Sequence, residues 1–476
     1  MEKVIGTSIN RLDSPDKATG KAKYTADYSA PDMLHVVLVR SEIAHGMLEE
    51  LVLPEQEEGV FYYTAKDLKQ NLIPSVMNDQ PVLAEDHIRY MGEPLVVAAA
   101  DTLEKAKKAA ERVKVKISPL PLVDDMILAL QQDAPKLFEQ GNLCSEFHST
   151  KGEPEEGFRQ SAFILEDTFY VPVQCPGFLE TESAFTYMDS KARLCLVSST
   201  QNAFSDRVTL SQVLGIPMQA IHSKAAVVGG GFGGKDGNTA QIYPAIVTHF
   251  TGRPAKYIFS REENIRYGMK RHNGIITARM GFDDHGCIVA FKGEMRLDTG
   301  AYALLGPAVL GLGSEHMTGP YYIPNVQLDG WLSYTNHAPA SAMRGFGAPQ
   351  GAMAVESLLN LAAEKIGVSA LEIRFRNAIH KGQEGPMGAV MEHSVGFEEA
   401  LRKFEDSDFY KEMLDNQEEN VGYGIAAGMM SSGMGKHVPD SAAVTIERTK
   451  RDCYRVHVGL VDIGQGSETV LAMIAA

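Results

Sequence analysis

The feature that most constrains this sequence is a glycine-rich stretch, AAVVGGGFGGKDGNTAQIYPAIVTHF, at residues 225–250. A Val-rich run, predicted to be a strand, leads into five glycines around Phe232, and an apolar run predicted to be a helix follows. Glycine lets the backbone approach a ligand closely, and a helix N-terminus favours anions. The stretch therefore predicts a loop that presents backbone N–H groups and one aromatic side chain to an anionic or heteroatom-rich ligand.

Two nucleotide-binding motifs match this loop only in part. Residues 229–234 fit G-x-G-x-x-G, but the acids that follow, Glu262 and Glu263, lie beyond the roughly 20-residue spacing of a ribose-binding acid. Residues 229–235 also fit the first seven positions of a P-loop, but the eighth is Asp236, whose carboxylate would repel a phosphate. The sequence thus excludes a P-loop NTPase and leaves a nicotinamide-dependent dehydrogenase as a poorly supported rival.

Two further glycine-rich loops have the same character. The stretch 338–351 places Arg344 beside Phe346, and the stretch 459–470 places Gln465 between two glycines. Each loop precedes a run that is predicted to be helical. Three such loops, if they converge, would form a pocket for a large, polar, phosphate-bearing cofactor.

Composition narrows the class of protein. The chain has 476 residues with 45 Lys and Arg against 61 Asp and Glu, a net charge of −16, which argues against nucleic-acid binding and against an anionic membrane surface. No signal peptide and no apolar run of about 18 residues is present, so a cytoplasmic location is expected. The five cysteines are scattered without a C-x-x-C, which argues against an iron–sulfur or zinc site built by this chain.

Hydrophobic patterning predicts a mixture of strands and helices, and hence the α+β class. Strands are expected at 35–41, 93–100, 113–117, 192–199, 274–282 and 442–449, and helices at 102–112, 205–214, 351–366 and 369–379 and from Ser467 onward. Asp101 is expected to cap the helix at 102–112, with Glu104 three residues on. The weakly patterned stretch 126–160, with its acidic run GEPEEG, is predicted to be a linker.

Five ordered motifs, together with an N-terminal module, carry a resemblance to a known family. They are TQNAFSDR (200–207), GGGFGGKD (229–236), YYIPN (321–325), AMRGFGAPQG (342–351) and DIGQGSET (462–469). In this order they resemble the molybdenum-binding subunit of the xanthine dehydrogenase/aldehyde oxidase family, and GKAKYTADY and DHIRYMGEPLVVAAADT resemble its α/β hammerhead domain. The resemblance implies a hammerhead domain at 1–125, the linker, a first molybdopterin-binding domain at 161–415 and an incomplete second one at 416–476.

The family binds molybdenum as a molybdopterin cofactor, and the resemblance implies which residues here would contact it. The cofactor contacts would be Gln201, Gly230, Gly231, Phe232, Gly233, Arg344, Ile463, Gly464 and Gln465. Of these, Gln201, Phe232 and Arg344 would lie near the metal without being protein ligands to it. The resemblance leaves open whether the pterin carries a cytosine dinucleotide.

The substrate pocket would include Asp236, Leu312 and Phe346. Phe346 would stack on a flat heteroaromatic ring, and Asp236 stands where xanthine-specific members carry a glutamate. Leu312 stands where those members carry an arginine, and an apolar side chain cannot stabilise charge that develops on a purine oxygen. Purine and non-purine substrates therefore both stay open, as does an aldehyde.

The resemblance implies hydroxylation of an N-heterocycle with water as the oxygen source, a glutamate as general base and the metal as electron acceptor. That glutamate cannot be placed on this chain, so no catalytic residue is assigned, and the chain alone is expected to be inactive. Electrons would pass to iron–sulfur and FAD subunits, and a further molybdopterin-subunit portion would complete the site. A scaffold subunit without cofactor is the alternative.

Overall fold

A computed structural model describes residues 4–237, 239–416, 418–431, 442–451 and 453–476 of the chain. The helices are α1 (Ser14–Ala18), α2 (Leu103–Glu111), α3 (Pro154–Gln160), α4 (Ala203–Leu214), α5 (Ile242–Thr251), α6 (Arg261–Tyr267), α7 (Gly306–Glu315), α8 (Ala348–Ile366), α9 (Ala370–Asn377), α10 (Phe397–Glu405), α11 (Asp408–Asp415) and α12 (Ser467–Ala475). The strands are β1 (Leu34–Arg40), β2 (Gly46–Val52), β3 (Val60–Tyr63), β4 (His87–Ile88), β5 (Pro94–Ala100), β6 (Lys114–Pro119), β7 (Leu143–Lys151), β8 (Phe163–Val171), β9 (Ser183–Met188), β10 (Leu194–Ser198), β11 (Ile221–Ala225), β12 (Ala255–Ile258), β13 (Gly274–Phe282), β14 (Ile288–Gly300), β15 (Asn325–Tyr334), β16 (Val444–Lys450) and β17 (Cys453–Val458).

The first large sheet is mixed and has seven strands in the order β11-β10-β9-β12-β1-β5-β3. Its strand β5, PLVVAAA, is buried along its whole length because helices cover both faces. Val97 and Ala99 pack into the core shared with α4 and α5, whereas Ala100 packs on the opposite face against Ala106 and Ala109 of α2. A continuous apolar run is what such a strand needs.

The N-terminal strands belong to this same sheet. Strand β1 pairs in parallel with β12, with Leu34 opposite Ala255, and it pairs antiparallel with β5 on its other side. Of the strands in the first 125 residues, β2, β4 and β6 form a separate three-stranded sheet. The N-terminal region and the region that follows it are therefore joined by a continuous hydrogen-bonded ladder.

The second large sheet has five strands in the order β7-β15-β14-β13-β8. Strand β13 alternates between buried and partly exposed residues, as a sheet with one covered face requires. Its inward side chains Ile276, Ala278, Met280 and Phe282 are all fully buried. Helices α7 and α8 pack on this sheet, and together they form the largest apolar core.

The predicted linker at 126–160 is wrong for residues 143–160. Strand β7 pairs with β15 along nearly its whole length and forms an edge of the five-stranded sheet. The acidic run that suggested a linker begins α3 instead, with Pro154 in the first turn and Glu155 and Glu156 after it. Proline and carboxylates both favour a helix N-terminus, so the local composition that is typical of a loop serves here as a helix start.

The other predicted elements are present, and the α+β class is confirmed. Two details were wrong. The cap of α2 is Thr102, whose hydroxyl accepts the N–H of Lys105 at 3.2 Å, and not Asp101. The strand before the glycine loop ends at Ala225, so the Val-rich residues 227 and 228 lie beyond it. None of the helices in the described ranges is long and apolar enough to cross a membrane.

Candidate functional site

One cavity joins the three glycine-rich loops, which are far apart in the sequence. Its volume is about 920 Å³, and most of its wall comes from the segments 228–236, 342–346 and 463–465. The sequence-predicted residues on this wall are Gln201, Gly230, Phe232, Gly233, Asp236, Arg344, Phe346, Ile463, Gly464 and Gln465. The structure thus brings ten predicted site residues to a single place. We call this space the cofactor cavity.

The first loop has a backbone that requires glycine. Gly230 and Gly233 have φ of +88° and +97°, and Phe232 between them has φ of +54°, a conformation that is uncommon for a residue with a side chain. A Cβ on Gly233 would lie 2.4 Å from the carbonyl oxygen of Ala342. The backbone N–H of Arg344 donates to the carbonyl of Phe232 at 2.9 Å, so the first two loops are held directly against each other.

Gln201 fixes the first loop from the other side. Its Oε1 accepts the N–H of Gly233 at 2.9 Å, and its backbone N–H donates to the carbonyl of Lys235 at 3.0 Å. Because Oε1 is used by the loop, the NH₂ group is the donor that this side chain can offer to a ligand. A Cβ on Gly231 would lie 2.4 Å from Oε1, so this glycine is needed to admit the amide.

A buried ion pair supports the loop from behind. Glu180 Oε2 accepts hydrogen bonds from the N–H of Gly229 at 2.7 Å, the Ser199 hydroxyl at 2.6 Å and the Lys235 ammonium at 3.0 Å. Lys235 is fully buried, and burial lowers its pKa while Glu180 opposes that shift. Its ammonium also lies 4.5 Å from the centre of the Phe178 ring. Sequence reasoning missed Glu180, since no local pattern in FLETES marks it.

Asp236 follows this lysine and is largely buried. Burial raises the pKa of its carboxyl group. Behind it lies Asp206 of α4, whose pKa burial raises to about 7, and the Ser198 hydroxyl donates to Asp206 at 3.2 Å. The negative charge of Asp236 adds to that shift. The site therefore holds two carboxyl groups whose ionised forms are both disfavoured.

The second loop carries Arg344 and Phe346 into the cavity. Gly345 and Gly347 have φ of +94° and +99°, and Phe346 between them has φ of +47°. The carbonyl of Arg344 accepts a hydrogen bond from the Arg271 guanidinium at 2.7 Å. Phe346 also packs on the core beneath the five-stranded sheet. The aromatic ring of Phe346 therefore lies on the cavity wall, and the backbone of Arg344 is held by Arg271.

The third loop is organised by Asp462. Its Oδ1 accepts the N–H groups of Gly464 at 2.9 Å and Gly466 at 3.3 Å. Gln465 lines the cavity, but its own amide bonds within the loop, accepting from Ile463 N–H at 2.7 Å and donating to the Val461 carbonyl at 3.0 Å. In this arrangement the amide of Gln465 holds the loop together, and Ile463, Gly464 and Gln465 line the cavity.

The N-terminal segment reaches the same loop. The Arg11 guanidinium donates to the carbonyl of Gly464 at 2.8 Å and forms an ion pair with Asp13. The backbone N–H of Leu12 donates to the Thr469 hydroxyl at 3.0 Å. These contacts join residues more than 450 positions apart, and sequence analysis gave no sign of them.

Two predicted residues do not lie on the cavity wall. Gly231 belongs to the first loop, but it faces Gln201. Leu312 lies within α7 and is 6% exposed, and its carbonyl accepts a hydrogen bond from His316. The assignment of Leu312 to a substrate pocket stays a prediction.

The chemistry of the wall suits a large ligand rich in heteroatoms. Among the described lining residues, Arg344 supplies a positive charge, Gln201 supplies an amide donor, and Phe232 and Phe346 supply ring faces. Phe232 is 41% exposed, although it is a large apolar side chain. Within the described ranges, no group of three or more His, Cys, Asp or Glu side chains is placed to hold a metal ion.

Comparisons with known proteins identify the family. The description "Molybdopterin cofactor-binding domain" belongs to family models that match residues 137–378 and 399–476. The model for the "Aldehyde oxidase and xanthine dehydrogenase, a/b hammerhead domain" matches residues 19–121. The chain belongs to the molybdenum hydroxylases, as a molybdenum-binding subunit. The predicted resemblance is therefore confirmed. Apart from the linker, which is wrong for residues 143–160, the domain boundaries given in the sequence analysis stay predictions.

Relatives among the molybdenum hydroxylases differ in how much of their own length this chain matches. The chain is 34% identical over 465 residues to a probable xanthine dehydrogenase subunit of Bacillus subtilis, covering 96% of this chain and 62% of that protein. It is 34% identical over 405 residues to the "Nicotinate dehydrogenase large molybdopterin subunit" of Eubacterium barkeri, covering 84% of this chain and 95% of that one. The aldehyde oxidoreductase structure from Desulfovibrio gigas superposes with a TM-score of 0.83 at 26% identity, over 88% of this chain and 48% of that one.

Proposed function

We propose that this chain binds a molybdopterin cofactor in the cofactor cavity and contributes to the hydroxylation of an N-heteroaromatic substrate with water as the oxygen source. The observation that carries the proposal is the convergence of three glycine-rich loops on one cavity. When bound, the cofactor would supply the metal that accepts two electrons from the substrate. The family membership of the chain supports the same assignment.

The residues on the wall fit such a cofactor. Gly233 lets the first loop pack directly on the backbone of Ala342 and Met343, so that the first two loops form one wall against which the cofactor would lie. Gln201 would donate its amide hydrogens to an oxygen near the metal, and Arg344 would lie near the same region. Backbone N–H groups at Gly230 and its neighbours in the first loop would bind the pterin and its phosphate, whereas the N–H groups of Gly464 and Gly466 already donate to Asp462.

The substrate would be held by Asp236 and Phe346. A carboxyl group whose pKa is raised by burial can donate or accept a hydrogen bond at a ring nitrogen. The ring of Phe346 offers a face for stacking on a flat heterocycle. The names of two relatives, a xanthine dehydrogenase and a nicotinate dehydrogenase, favour N-heterocycles, and the aldehyde oxidoreductase structure makes an aldehyde the second candidate.

Other subunits would complete the enzyme. The family resemblance leads us to propose iron–sulfur and FAD subunits as electron acceptors and a further molybdopterin-subunit portion that supplies the base. Apolar side chains on β16, β17 and α12 are exposed, among them Ile446 at 53%, Tyr454 at 63% and Ile474 at 62%. We propose that the further portion packs on these exposed apolar side chains, because exposed apolar side chains can mark interfaces.

The test is to quantify molybdenum and pterin in the natively purified protein and to identify every co-purifying chain by mass spectrometry. We expect about one molybdenum per chain in the complex and no turnover by this chain alone. A complex that contains neither metal nor pterin would contradict the proposal and favour the scaffold alternative. Steady turnover of a heterocycle by the isolated chain with artificial electron acceptors would contradict the need for a further portion.

A further inference from the structure

Two histidines of the N-terminal region face each other, and neither of them lines the cofactor cavity. His45 directly precedes strand β2, and His87 begins strand β4, which pairs antiparallel with β2. Their Nε2 atoms are 2.9 Å apart. The ring centres are 5.0 Å apart and the ring planes differ by 25°, so the rings meet nearly end to end at these nitrogens. We call these two side chains the histidine pair.

The other ring nitrogen of His45 fixes its tautomer. Nδ1 lies 2.5 Å from the carbonyl oxygen of Pro121, and because a carbonyl only accepts, we assign the hydrogen to Nδ1. The backbone carbonyl of His45 also accepts the N–H of Leu120 at 3.0 Å. These two bonds hold the residue from the segment that follows β6 and leave the lone pair of Nε2 directed at His87. Histidines that bind metals are oriented in this way, by a carbonyl on the second nitrogen.

The surroundings of the histidine pair favour neutral imidazole, which is the form that binds metals. Burial lowers the pKa of His45, and burial together with the positive charges of Arg89 and His45 lowers the pKa of His87 to about 4. Without a metal, one hydrogen bond from Nε2 of His87 to Nε2 of His45 satisfies both nitrogens. A shift of the His87 hydrogen to Nδ1 frees a second lone pair that faces the first.

The histidine pair is closed on one side and open on the other. His45 is 3% exposed, whereas His87 is partly exposed and gives an ion a path from solvent. Zinc binds imidazole nitrogen at about 2.0–2.1 Å with tetrahedral angles, which places two ligand nitrogens about 3.3 Å apart. The two Nε2 atoms would therefore have to separate by only about 0.4 Å, a movement that a rotation of the His87 side chain supplies.

Arg89 places a positive charge near both rings. Its guanidinium donates to the Leu137 carbonyl at 3.1 Å and lies 4.6 Å from the centre of the Phe138 ring, so these contacts hold it in place. The charge weakens the binding of a cation. Two protein ligands beside a fixed positive charge predict a dissociation constant on the order of 10 μM, well above that of a structural zinc site with four ligands.

We propose that the histidine pair is a binding site for a divalent metal ion of the zinc–copper class, held by Nε2 of His45 and Nε2 of His87 with water at the remaining positions. Ions that prefer oxygen ligands, such as Mg²⁺, are not bound. The bound ion ties the residue before β2 to strand β4 and so braces the three-stranded sheet β4-β2-β6. The site does not depend on the proposed function, because neither histidine contributes to the cofactor cavity.

Titration of the full chain with Zn²⁺, Cu²⁺ and Mg²⁺ tests the site. Isothermal titration calorimetry should show Zn²⁺ binding that depends on both histidines and no Mg²⁺ binding there. Pulsed electron paramagnetic resonance of the parent protein with one equivalent of Cu²⁺ should detect two coordinated imidazoles. This measurement needs no variant, so it holds even if a substitution impairs folding. A copper spectrum with one imidazole or none would overturn the site.

Variants locate the site on the two histidines. His87→Gln and His45→Gln should each weaken Zn²⁺ binding at least about tenfold, because one protein ligand is lost. His35→Gln is the matched control, because His35 is also a partly buried histidine of the N-terminal region, and the charged group that acts on it is Lys256. Circular dichroism checks the folding of each variant. Zn²⁺ binding that is as tight in His87→Gln as in His35→Gln would overturn the assignment.

Discussion

Replacing Glu180 with glutamine tests the role of the buried ion pair beneath the first glycine loop. The change is nearly isosteric, but it leaves the ammonium of Lys235, which is fully buried, without its carboxylate 3.0 Å away. Removing one partner of a buried pair costs about 3–5 kcal/mol, because the remaining charge stays desolvated. We expect the midpoint of thermal unfolding to fall by roughly 3–5 °C at pH 7, because the unfolding entropy of a chain of this length is on the order of 1 kcal/mol per kelvin.

The pH dependence provides an independent check. Burial already lowers the pKa of Lys235, and the loss of Glu180 lowers that pKa further. Between the lowered pKa of Lys235 in the folded state and its ordinary pKa in the unfolded state, the unfolded chain binds more protons at this amine. The free energy of unfolding of Glu180→Gln should therefore rise as the pH increases towards 10. The difference in unfolding free energy between the variant and the parent protein should shrink over the same range.

Glu156→Gln is the matched control, because it removes a carboxylate from an exposed pair with Arg159 at 2.5 Å. Exposed pairs contribute little, so its unfolding midpoint should stay within about 1 °C of the parent. The double variant Glu180→Gln with Lys235→Met should recover much of the loss, since no buried charge remains. If Glu180→Gln behaves like the exposed control at pH 7, the buried pair does not support the loop.

Three further predictions concern other parts of the molecule. Gly233→Ala should lower the free energy of unfolding by about 2–4 kcal/mol, because the position has a positive φ and a Cβ there would contact the Ala342 backbone, and it should reduce the pterin content. Gly311→Ala is the control, since a Cβ there meets nothing within 4 Å. It should be neutral or slightly stabilising in the same denaturation and pterin assays. Burial raises the pKa of Glu93 to about 7, so the protonated side chain stabilises the folded state relative to the ionised one by about 3 kcal/mol. This stabilisation is complete below pH 4.5 and is lost as the pH rises through 7. In Glu93→Gln the free energy of unfolding should depend less on pH over that range, and an unchanged pH profile would contradict the prediction. Arg11→Ala should speed hydrogen exchange in residues 459–466, while exchange equal to that of the parent protein would show that the bond to Gly464 does not order the loop.

The site could be predicted from the sequence where its chemistry is local. Glycine and aromatic residues in one loop, or an arginine beside Gly345, are visible in a single stretch, and ten such residues line the cofactor cavity. Partners that act across long separations were missed. Glu180 lies 55 residues before the lysine that it pairs with, and Arg11 lies 453 residues before the glycine that it contacts.

The fold shows the same division. Short apolar runs such as β5 carry their own signal, because a strand buried on both faces reads as continuous Val and Ala. Strand β7 could not be recognised in this way. Its sequence LCSEFHSTK is polar, and it becomes a strand because β15 offers it an edge. Its structure is set by a partner more than 170 residues away, which local composition does not reveal.

The shared ladder between β1 and β12 has a consequence for synthesis on the ribosome. Residues 34–40 cannot pair with residues 255–258 until the latter have emerged. At about 5–20 residues per second, that interval lasts on the order of 10–40 seconds. During it the edge of a Val- and Ala-rich sheet stays open to other nascent chains. Expression conditions that slow aggregation, such as low temperature or a chaperone that binds extended apolar segments, should therefore raise the yield of folded protein. Substitutions in the C-terminal half should raise it less, because they do not shorten the time for which this edge is open.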